Sequence, residues 1–451
     1  HFAVQGQQKP LQRKSRRHQK VPVRSQTGPQ PAEAQALIHL TMSHPQSIPF
    51  QQALASVVET AAKYSLPTEQ VPLASALGRV TSSAVLAPID VPGFAASRMD
   101  GYAINTNFIK YQGGPPYTLG LGTAIHAAKQ NQPQRCENQA IPIMTGGMMP
   151  EDADAIVIKE QAQKHAGQLL FEVEPKIGQY IRAQGADVQK GEVVLPANTE
   201  LDAPSLAQLA SLGIATTAVW RQPKVALMMS GDELVSPGNP CEPGEIYDAN
   251  SVMLSSWLQS LGCQVTQLPP LADDQDRVVQ RLQSIQHDGY DLMISVGGVS
   301  QGDKDWLPSS LLKTGQVIFH KVMMKPGFPL LFGTLGKGLF FGLPGNPVSA
   351  FVTASQLIKP AIRHWFGQDI KPLTWQAKLS HEWRKQHDRV EFLRAVYRVD
   401  EQGQLQVKIM DHQQSSHLGG LVAANCLLVV PEGPQHLQKG QLVAIQPLNL
   451  S

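Results

Sequence analysis

Apolar residues recur along the chain in short runs whose spacing changes from one region to the next. Ser47 opens a stretch with the periodicity of an amphipathic helix and a capping serine, and its apolar positions include Ala53, Val57 and Ala61. Between Asp100 and Asp187 the runs become short and are separated by Gly and Pro, which predicts a small β-barrel or sandwich.

A different pattern begins near Pro223, where apolar runs of strand length alternate with helix-like segments. This alternation predicts βαβ units and a mostly parallel sheet. After Lys371 the runs alternate as in strands again, which predicts a final all-β segment. The elements expected in the central region are Lys224–Met229, Asn250–Leu261, Val265–Leu268, Asp273–Gln286, Asp291–Ser295, Val317–Val322 and a helix that begins at Asn346.

The composition argues against several classes of protein. The 451 residues are too many for one compact core, so about two to four domains are expected. A net charge of +2 argues neither for nucleic-acid binding nor for an acidic tail, and no apolar stretch reaches the roughly 20 residues of a membrane span. The four cysteines are scattered without a C-x-x-C pair, which favours reduced thiols in the cytoplasm over disulfides or a zinc site.

The first 41 residues differ from the rest of the chain. They are rich in Gln, Pro, Lys and Arg, contain one acid, Glu33, and show no apolar periodicity. Such a composition cannot bury enough apolar surface to fold. We interpret 1–41 as a disordered tail or an upstream extension, because Met42 lies just before the first periodic segment. A mitochondrial presequence fits less well, because the apolar face of an amphipathic helix is missing.

A glycine turn after a predicted buried strand carries the strongest chemical signal. Gly297 and Gly298 permit close approach of a ligand to the backbone, and Ser300 can donate to a phosphate oxygen. Asp305 follows, and its carboxylate is of the kind that binds Mg²⁺. The turn lacks the lysine of a P-loop, so it does not predict an ATPase of that kind. The alternative is a glycine-rich connection without a ligand.

Acidic and amide side chains also follow the first strand of the central region. Ligands bind at the carboxyl ends of strands in this architecture, and a hard cation such as Mg²⁺ prefers oxygen ligands. The alternatives are a solvated loop and a helix cap. The predicted binding residues here are Ser230, Gly231, Asp248 and Asn250, and the predicted metal ligands are Asp232, Glu233 and Asp305.

Weaker signals occur at four further places. Asp100 precedes a glycine on a predicted loop, and Thr145 precedes two glycines at a strand end. Lys325 could supply positive charge to an anion, and the rigid turn Pro344–Asn346 precedes a helix whose dipole favours an anion. Taken singly, each is more often an ordinary turn or a solvated side chain.

Taken together and in this order, the motifs resemble the molybdopterin molybdenumtransferases, the family of the bacterial MoeA proteins and the E domain of gephyrin. The resemblance extends from about Phe50 to Pro447, and the residues before Met42 lie outside it. The matching strings are MDGYA (Met99–Ala103), MTGG (Met144–Gly147), SGDEL (Ser230–Leu234), YDAN (Tyr247–Asn250), GGVSQGDKD (Gly297–Asp305), MKPG (Met324–Gly327) and LPGNPVS (Leu343–Ser349).

The resemblance implies a multidomain fold of the α/β and β class. It has a central parallel-sheet α/β domain that binds molybdopterin, a β-rich insert, a linking domain and a C-terminal β-domain. The family also implies a homodimer whose active site lies between the α/β domain of one subunit and the insert of the other. The expected boundaries are 1–41 for the extension, 42–97 with 188–222 for the linking domain, 98–187 for the insert, 223–370 for the α/β domain and 371–451 for the C-terminal domain.

The implied reaction inserts molybdenum from molybdate into adenylylated molybdopterin and releases AMP, with the help of Mg²⁺, in the cytoplasm. Transient contacts with a molybdopterin adenylyltransferase and with molybdoenzyme-specific chaperones are implied as well. Carried onto this chain, the catalytic residues are Asp100, Thr145, Glu233 and Asp305, and the residues that bind the pterin or the nucleotide are Ser230, Gly231, Asp248, Asn250, Gly297, Gly298, Ser300, Lys325, Pro344, Gly345 and Asn346.

One position departs from the family pattern. The family usually shows KPGKP, whereas Phe328 stands here in place of the second lysine. One positive charge is therefore lost near the expected anion cleft, and Arg98 is a residue that could compensate. Two alternative functions stay open: an adenylyltransferase-like enzyme on the same α/β fold, and a non-enzymatic scaffold of the gephyrin E-domain type.

Overall fold

The computed structural model describes residues 47–124, 135–271, 274–299 and 306–448. Three predictions lie outside the described residues: the extension 1–41 and the roles of Ser300 and Asp305. Within the described ranges, no helix combines the length and the apolar character needed to span a membrane.

The first helix, Phe50–Ala61, buries the face that the sequence predicts. Its start differs from the prediction, because Pro49 occupies the N-cap position and no side chain caps the helix. The expected capping role of Ser47 is therefore wrong. Proline here has a φ of −56°, close to the helical value, so the chain enters the helix without a side-chain acceptor. The buried apolar residues of the helix are Phe50, Ala53, Val57 and Ala61.

Short antiparallel pairs join the segments on either side of the insert. Thr68–Pro72 pairs with Thr216–Trp220, and Val85–Leu86 pairs with Val193–Leu195. The helix Ala203–Ser211 precedes the second strand of the first pair. These pairs bring together the two segments assigned to the linking domain, whose boundaries stay a prediction.

The insert is built on a six-stranded sheet, which confirms its predicted β-rich character. Gly101–Ile104, from the MDGYA motif, is a buried strand of this sheet, and Asp100 stands directly before it. A Cβ added at Gly101 would collide with the Val157 carbonyl oxygen of the neighbouring strand, so glycine is required there. From edge to edge the strands are Ala155–Ile158, Gly101–Ile104, Gln139–Ile143, Tyr117–Leu121, Gln168–Phe171 and Ala162–His165.

A second six-stranded sheet forms the central α/β domain. Four strands are parallel and two antiparallel strands complete one edge, which confirms the mostly parallel sheet. Val225 and Leu227 pack in one apolar core while Ala226 and Met228 pack in another, so both faces are covered. From edge to edge the strands are Gln264–Gln267, Lys224–Met229, Leu292–Val296, Gly338–Leu343, Leu331–Leu335 and Gln316–His320.

The strand order reverses beside Lys224–Met229. The chain first adds Gln264–Gln267 on one side of this strand and then Leu292–Val296 on the other. Such a reversal leaves a crevice at the carboxyl ends of the two diverging connections, where ligands bind in open α/β sheets. The helices of this region are Ala249–Ser260, Gln275–Ile285, Leu307–Thr314 and Pro347–Thr353, the last of which continues through a π-helical turn, Ala354–Ile358, into Lys359–Trp365.

The C-terminal domain is a closed β-barrel. Its strands follow one another as Val390–Val399, Leu405–Ile409, Trp375–Leu379, Leu442–Pro447 and Cys426–Val430, and the last pairs back with the first. Met324–Lys325, from the MKPG motif, lies parallel to the start of Val390–Val399 and so joins the barrel. The remaining elements are the strand pair Trp383–Lys385 with Gln435–Leu437 and the helix Leu418–Ala423.

Candidate functional site

Three turns meet at the crevice of the central sheet. Ser230, Gly297 and Pro344 each follow a parallel strand directly. The Ser230 N–H donates to the Val296 carbonyl, and the Gly297 N–H donates to the Leu343 carbonyl, each over 2.9 Å. The sheet therefore holds the turns of the SGDEL, GGVS and LPGNP motifs side by side.

Glycine is needed where these turns touch. Gly297 has a φ of +91°, and a Cβ added there would lie 2.7 Å from the Ser230 carbonyl oxygen. Gly298 has a φ of +69°, and its added Cβ would lie 3.3 Å from the Ser230 hydroxyl oxygen. A side chain at Gly297 would therefore meet both backbone strain and a collision. The close approach in the structure is between two protein turns, and the approach of a ligand stays a prediction.

The two acids of the SGDEL turn are exposed. In the described part of the chain, the carboxylates of Asp232 and Glu233 have no hydrogen bond and no ion pair. Across the described residues, no three His, Cys, Asp or Glu side chains are grouped so that they could hold a metal ion. Two unpaired carboxylates nevertheless fit Mg²⁺, which often uses one or two protein carboxylates and completes its shell with waters and substrate phosphates.

Asp248 and Asn250 behave differently from each other. Asp248 is the N-cap of Ala249–Ser260 and accepts from both the N–H and the hydroxyl of Ser251, so its carboxylate is occupied locally. Asn250 donates its amide to the Gly345 carbonyl over 2.7 Å, which ties the YDAN motif to the LPGNP turn. Its Oδ1 is buried and has no hydrogen-bond partner in the described residues. Asn250 is therefore the better ligand candidate of the two.

The helix after the LPGNP turn has one of its N-terminal N–H groups occupied. Val348 donates to the Ser415 carbonyl over 3.1 Å. The segment around Ser415 is held by the buried guanidinium of Arg394, which donates to three carbonyls. Sequence reasoning missed Arg394, and its position inside the apolar run from Phe392 to Val396 was the available signal. The carbonyls that accept from Arg394 belong to His412, Gln414 and His417.

Asp100 and Thr145 contact each other on the insert. The N–H and the hydroxyl of Thr145 each donate to Asp100 Oδ1 over 2.8 Å. These two hydrogen bonds, the backbone one first, lower the pKa of the Asp100 carboxyl. Both residues are exposed, and among the described residues neither is bonded to the crevice of its own chain. The structure thus unites the two predicted insert residues but does not join them to Glu233 within one chain.

Family models match three successive parts of the chain. Residues 48–213 match the MoeA N-terminal region (domain I and II), residues 226–364 match a probable molybdopterin binding domain, and residues 376–448 match the MoeA C-terminal region (domain IV). A relative from Haemophilus influenzae named molybdopterin molybdenumtransferase is 38% identical over 385 residues, which are 85% of this chain and 94% of the relative. The chain belongs to the molybdopterin molybdenumtransferase family.

Other members of the family agree with this assignment. A molybdopterin molybdenumtransferase from Bacillus subtilis is 30% identical over 385 residues, covering 84% of this chain and 89% of the relative. The crystal structure of a molybdopterin biosynthesis MoeA protein from Pyrococcus horikosii matches with a TM-score of 0.78 at 26% identity, covering 89% of this chain and 99% of that one. The predicted multidomain fold is therefore confirmed.

The lysine of the molybdenumtransferase MKPG motif lies where that motif meets the barrel. The Lys325 ammonium is 2.9 Å from Glu391 Oε1, and the Glu391 side chain is only 4% exposed while that of Lys325 is 45% exposed. A Cβ added at Gly327, which has a φ of +106°, would collide with the Thr353 hydroxyl, so the turn packs against the helix that follows LPGNP. Glu391 as the partner of Lys325 was not predicted.

Proposed function

We propose that the protein transfers molybdenum from molybdate to adenylylated molybdopterin and releases AMP, with Mg²⁺ bound at the crevice and with a homodimer as the active form. Molybdenum insertion in cofactor biosynthesis is supported by the three family models and by relatives that carry the name molybdopterin molybdenumtransferase. The adenylylated substrate, the metal and the dimer go beyond those comparisons and are the proposal itself.

One observation carries the proposal. Two unpaired carboxylates, Asp232 and Glu233, lie in the same turn as Ser230, next to the glycine turn of Gly297 at the reversal of strand order. Glycine turns at this place suit phosphates, and the carboxylates suit a divalent cation. When bound, Mg²⁺ would neutralise charge that develops on the phosphate as the bond to AMP breaks. Asp232 and Glu233 would hold it, and Asn250 Oδ1 is free to accept from the substrate.

The insert would supply the proton chemistry of the transfer. Both hydrogen bonds from Thr145 reach Asp100 Oδ1, which leaves Oδ2 open, and they keep the carboxyl ionised. An ionised carboxylate of this kind accepts the proton of each dithiolene thiol in turn and passes both protons to one oxygen of molybdate, which leaves as water while the two sulfurs bond to molybdenum. Molybdate is a substrate in this account, and the chain provides the proton acceptor.

Two alternatives are less well supported. An adenylyltransferase-like enzyme needs only the central α/β domain, whereas family models for a MoeA protein also match residues 48–213 and 376–448. A scaffold without activity has no use for exposed, unpaired carboxylates at the crevice, and the relatives that cover most of this chain carry an enzyme name. We therefore prefer the transferase.

The separation of the two sets of residues supports the proposed dimer. Asp100 and Thr145 belong to the insert sheet and Glu233 to the central domain, and no bond joins them in the described part of one chain. Met99 and Met144, which precede Asp100 and Thr145, are exposed apolar side chains of the kind that an interface covers. A second subunit that covers this surface would bring the two sets together.

The proposal also includes location and partners. We assign the reaction to the cytoplasm, because the four cysteines are free thiols and three of them are buried. Adenylylated molybdopterin must be made by another enzyme, and the product must reach its users. Transient contacts with a molybdopterin adenylyltransferase and with molybdoenzyme-specific chaperones are therefore part of the proposal.

The direct test is release of AMP from adenylylated molybdopterin when molybdate is added in the presence of Mg²⁺. The unaltered chain should release AMP, and Glu233→Gln should reduce the rate by about a hundredfold or more, as removal of a group that acts on the reacting centre usually does. Glu242→Gln, an exposed acid on the same connection, is the matched control. No release of AMP by the unaltered chain would refute the proposed reaction.

A mixed-dimer experiment tests the shared site. Chains with Asp100→Asn and chains with Glu233→Gln should each be inactive alone. If the site joins the insert of one subunit to the crevice of the other, a mixed dimer contains one intact site, so an equal mixture should recover about a quarter of full activity. An equal mixture of Asp100→Asn chains with Asp100→Ala chains, both altered on the insert, is the control and should stay inactive. Failure of the first mixture to recover activity would rule out the shared site.

A further inference from the structure

The residue that departs from the family pattern has an unexpected neighbour. Phe328 stands where the family usually has a lysine, and the guanidinium carbon of Arg389 lies 5.6 Å from the centre of its ring. This distance is within the range of a cation–π contact. Arg389 comes from the segment that leads into the first barrel strand, Val390–Val399, so a cation from the C-terminal domain lies at the position of the missing one.

Lys325, the cation of the MKPG motif, already has an anionic partner. Lys325 pairs with Glu391, whose carboxylate also lies 3.4 Å from the Nε2 of His387. In the described part of the chain, the guanidinium of Arg389 has no hydrogen bond and no ion pair to any side chain. Its five N–H donors are therefore available, and a guanidinium stacked on a ring directs them sideways rather than into the ring. Arg389 is the cation here that can still bind an anion.

The backbone holds Phe328 and Arg389 in this arrangement from both sides. The N–H of Val322 donates to the Phe328 carbonyl, and the N–H of Val390 donates to the Met323 carbonyl, each over 3.0 Å. The buried ammonium of Lys385 donates to the Arg389 carbonyl over 2.7 Å. The ring and the guanidinium therefore belong to one locally fixed unit.

We propose that Arg389, held on the ring of Phe328, replaces the missing lysine and binds a tetrahedral oxyanion. The inference rests on the proposed function for the identity of the anion, which is molybdate or a phosphate of the substrate. Arg98, the residue that the sequence suggested for this role, lies on the insert, where Arg182 and, more weakly, Arg98 lower the pKa of Asp187. Arginine suits the role, because its planar fork binds an oxyanion through two parallel N–H groups.

The first experiment measures the KM for molybdate and kcat for AMP release in Arg389→Ala. The KM should rise about tenfold or more while kcat changes less than about threefold, because a charge-assisted hydrogen bond to the bound anion is lost. The KM of Arg389→Lys, which keeps the charge, should lie between those of the unaltered chain and Arg389→Ala. Arg384→Ala is the matched control, because Arg384 is an exposed arginine of the same domain that pairs with Glu382. Thermal unfolding of each variant shows whether the fold is retained.

The second experiment is a rescue that a structural role would not produce. Phe328→Lys in the Arg389→Ala background restores the family residue and should recover most of the lost affinity. Titration of the unloaded protein with molybdate and, separately, with inorganic phosphate identifies the source of the anion, because only the ion that occupies the site should bind more weakly to Arg389→Ala. If neither the KM nor either titration changes in a folded Arg389→Ala, the inference is overturned.

The two proposals can fail separately. An unaltered chain that releases no AMP refutes the proposed reaction, whereas the titrations with molybdate and phosphate still test Arg389. An active unaltered chain whose Arg389→Ala variant behaves like Arg384→Ala keeps the reaction and removes Arg389 from it. If Arg384→Ala weakened anion binding as much as Arg389→Ala, the inference would also be wrong, because the effect would come from the general charge of the domain.

Discussion

The two ends of the central sheet use their acids in opposite ways. At the amino end, Asp291 accepts from Arg221 over 2.8 and 3.0 Å and from the Lys224 N–H over 2.7 Å. At the carboxyl end, Asp232 and Glu233 have no such partners among the described residues. Paired acids stabilise a fold, and unpaired acids at a crevice are available to a ligand. Substitutions at the amino end should therefore change stability, and those at the carboxyl end should change activity.

The largest effect is expected for a substitution at Gly297, which should lower both stability and activity. Gly297→Ala would force a side chain into a left-handed backbone conformation, 2.7 Å from the Ser230 carbonyl oxygen. We expect a loss of about 2–4 kcal/mol in the free energy of unfolding from strain and collision together. Activity should fall at least about a hundredfold, because the glycine turn that would approach the phosphate is displaced. Urea unfolding and AMP release measure the two effects.

Gly289→Ala, before the same strand, is the matched control. Gly289 has a φ of +72° but no atom within 4 Å of an added Cβ, so only the backbone strain applies. The cost should be about 1–2 kcal/mol, with activity unchanged. Equal losses of activity in the two variants would show that backbone strain anywhere in the domain, rather than the crevice, governs the reaction.

A smaller effect, on activity alone, is expected for Asp232→Asn. Its carboxylate is exposed and unpaired, so its removal should leave the unfolding transition in place. Loss of a metal ligand should lower activity about 10- to 100-fold at limiting Mg²⁺ and raise the Mg²⁺ concentration needed for half-maximal AMP release. A Mg²⁺ titration measures this shift. An unchanged half-maximal concentration would remove Asp232 from the metal site.

The reverse outcome is expected for Asp291→Ala at the other end of the sheet. The variant leaves Arg221 and the Lys224 N–H without their acceptor, which should cost about 1–3 kcal/mol of unfolding free energy. AMP release per folded molecule should not change. Asp288→Ala removes an exposed acid from the same connection and should affect neither quantity. If Asp291→Ala lost more activity than the loss of folded protein explains, the acids at the amino end would also serve the reaction, and the contrast between the two ends would be wrong.

The sequence could predict the elements of the central sheet but not which polar groups would pair. Lys224–Met229 matches its prediction, and the glycines after the strands fall at the crevice, because buried parallel strands have a clear apolar signal. Lys325 pairs with Glu391, 66 positions along the chain, and Asn250 pairs with the Gly345 carbonyl, 95 positions along the chain. Such pairings depend on tertiary packing, which local patterns do not contain.

Asp100, on the insert, shares a feature with each set of acids, because it is exposed like Asp232 and hydrogen-bonded like Asp291. The smallest effect, a shift in the pH dependence of activity, is expected here. Thr145 lowers the pKa of Asp100 through its N–H first and its hydroxyl second. A depressed pKa keeps the carboxylate ionised as the pH falls. Thr145→Val removes the hydroxyl and keeps the N–H, so the pKa of Asp100 should rise part of the way towards its ordinary value. The acidic limb of the activity profile should then move to higher pH.

The same pH profile separates positioning of Asp100 from direct contact with molybdate. Thr145→Ser keeps a hydroxyl at this position and should retain the acidic limb of the unaltered chain. If Thr145 only supports Asp100, activity of Thr145→Val at neutral pH should stay close to that of Thr145→Ser, because Asp100 is ionised in both. If Thr145 also touches molybdate, activity should fall at every pH. An acidic limb that does not move in Thr145→Val would mean that the proton acceptor of the reaction is a group other than Asp100.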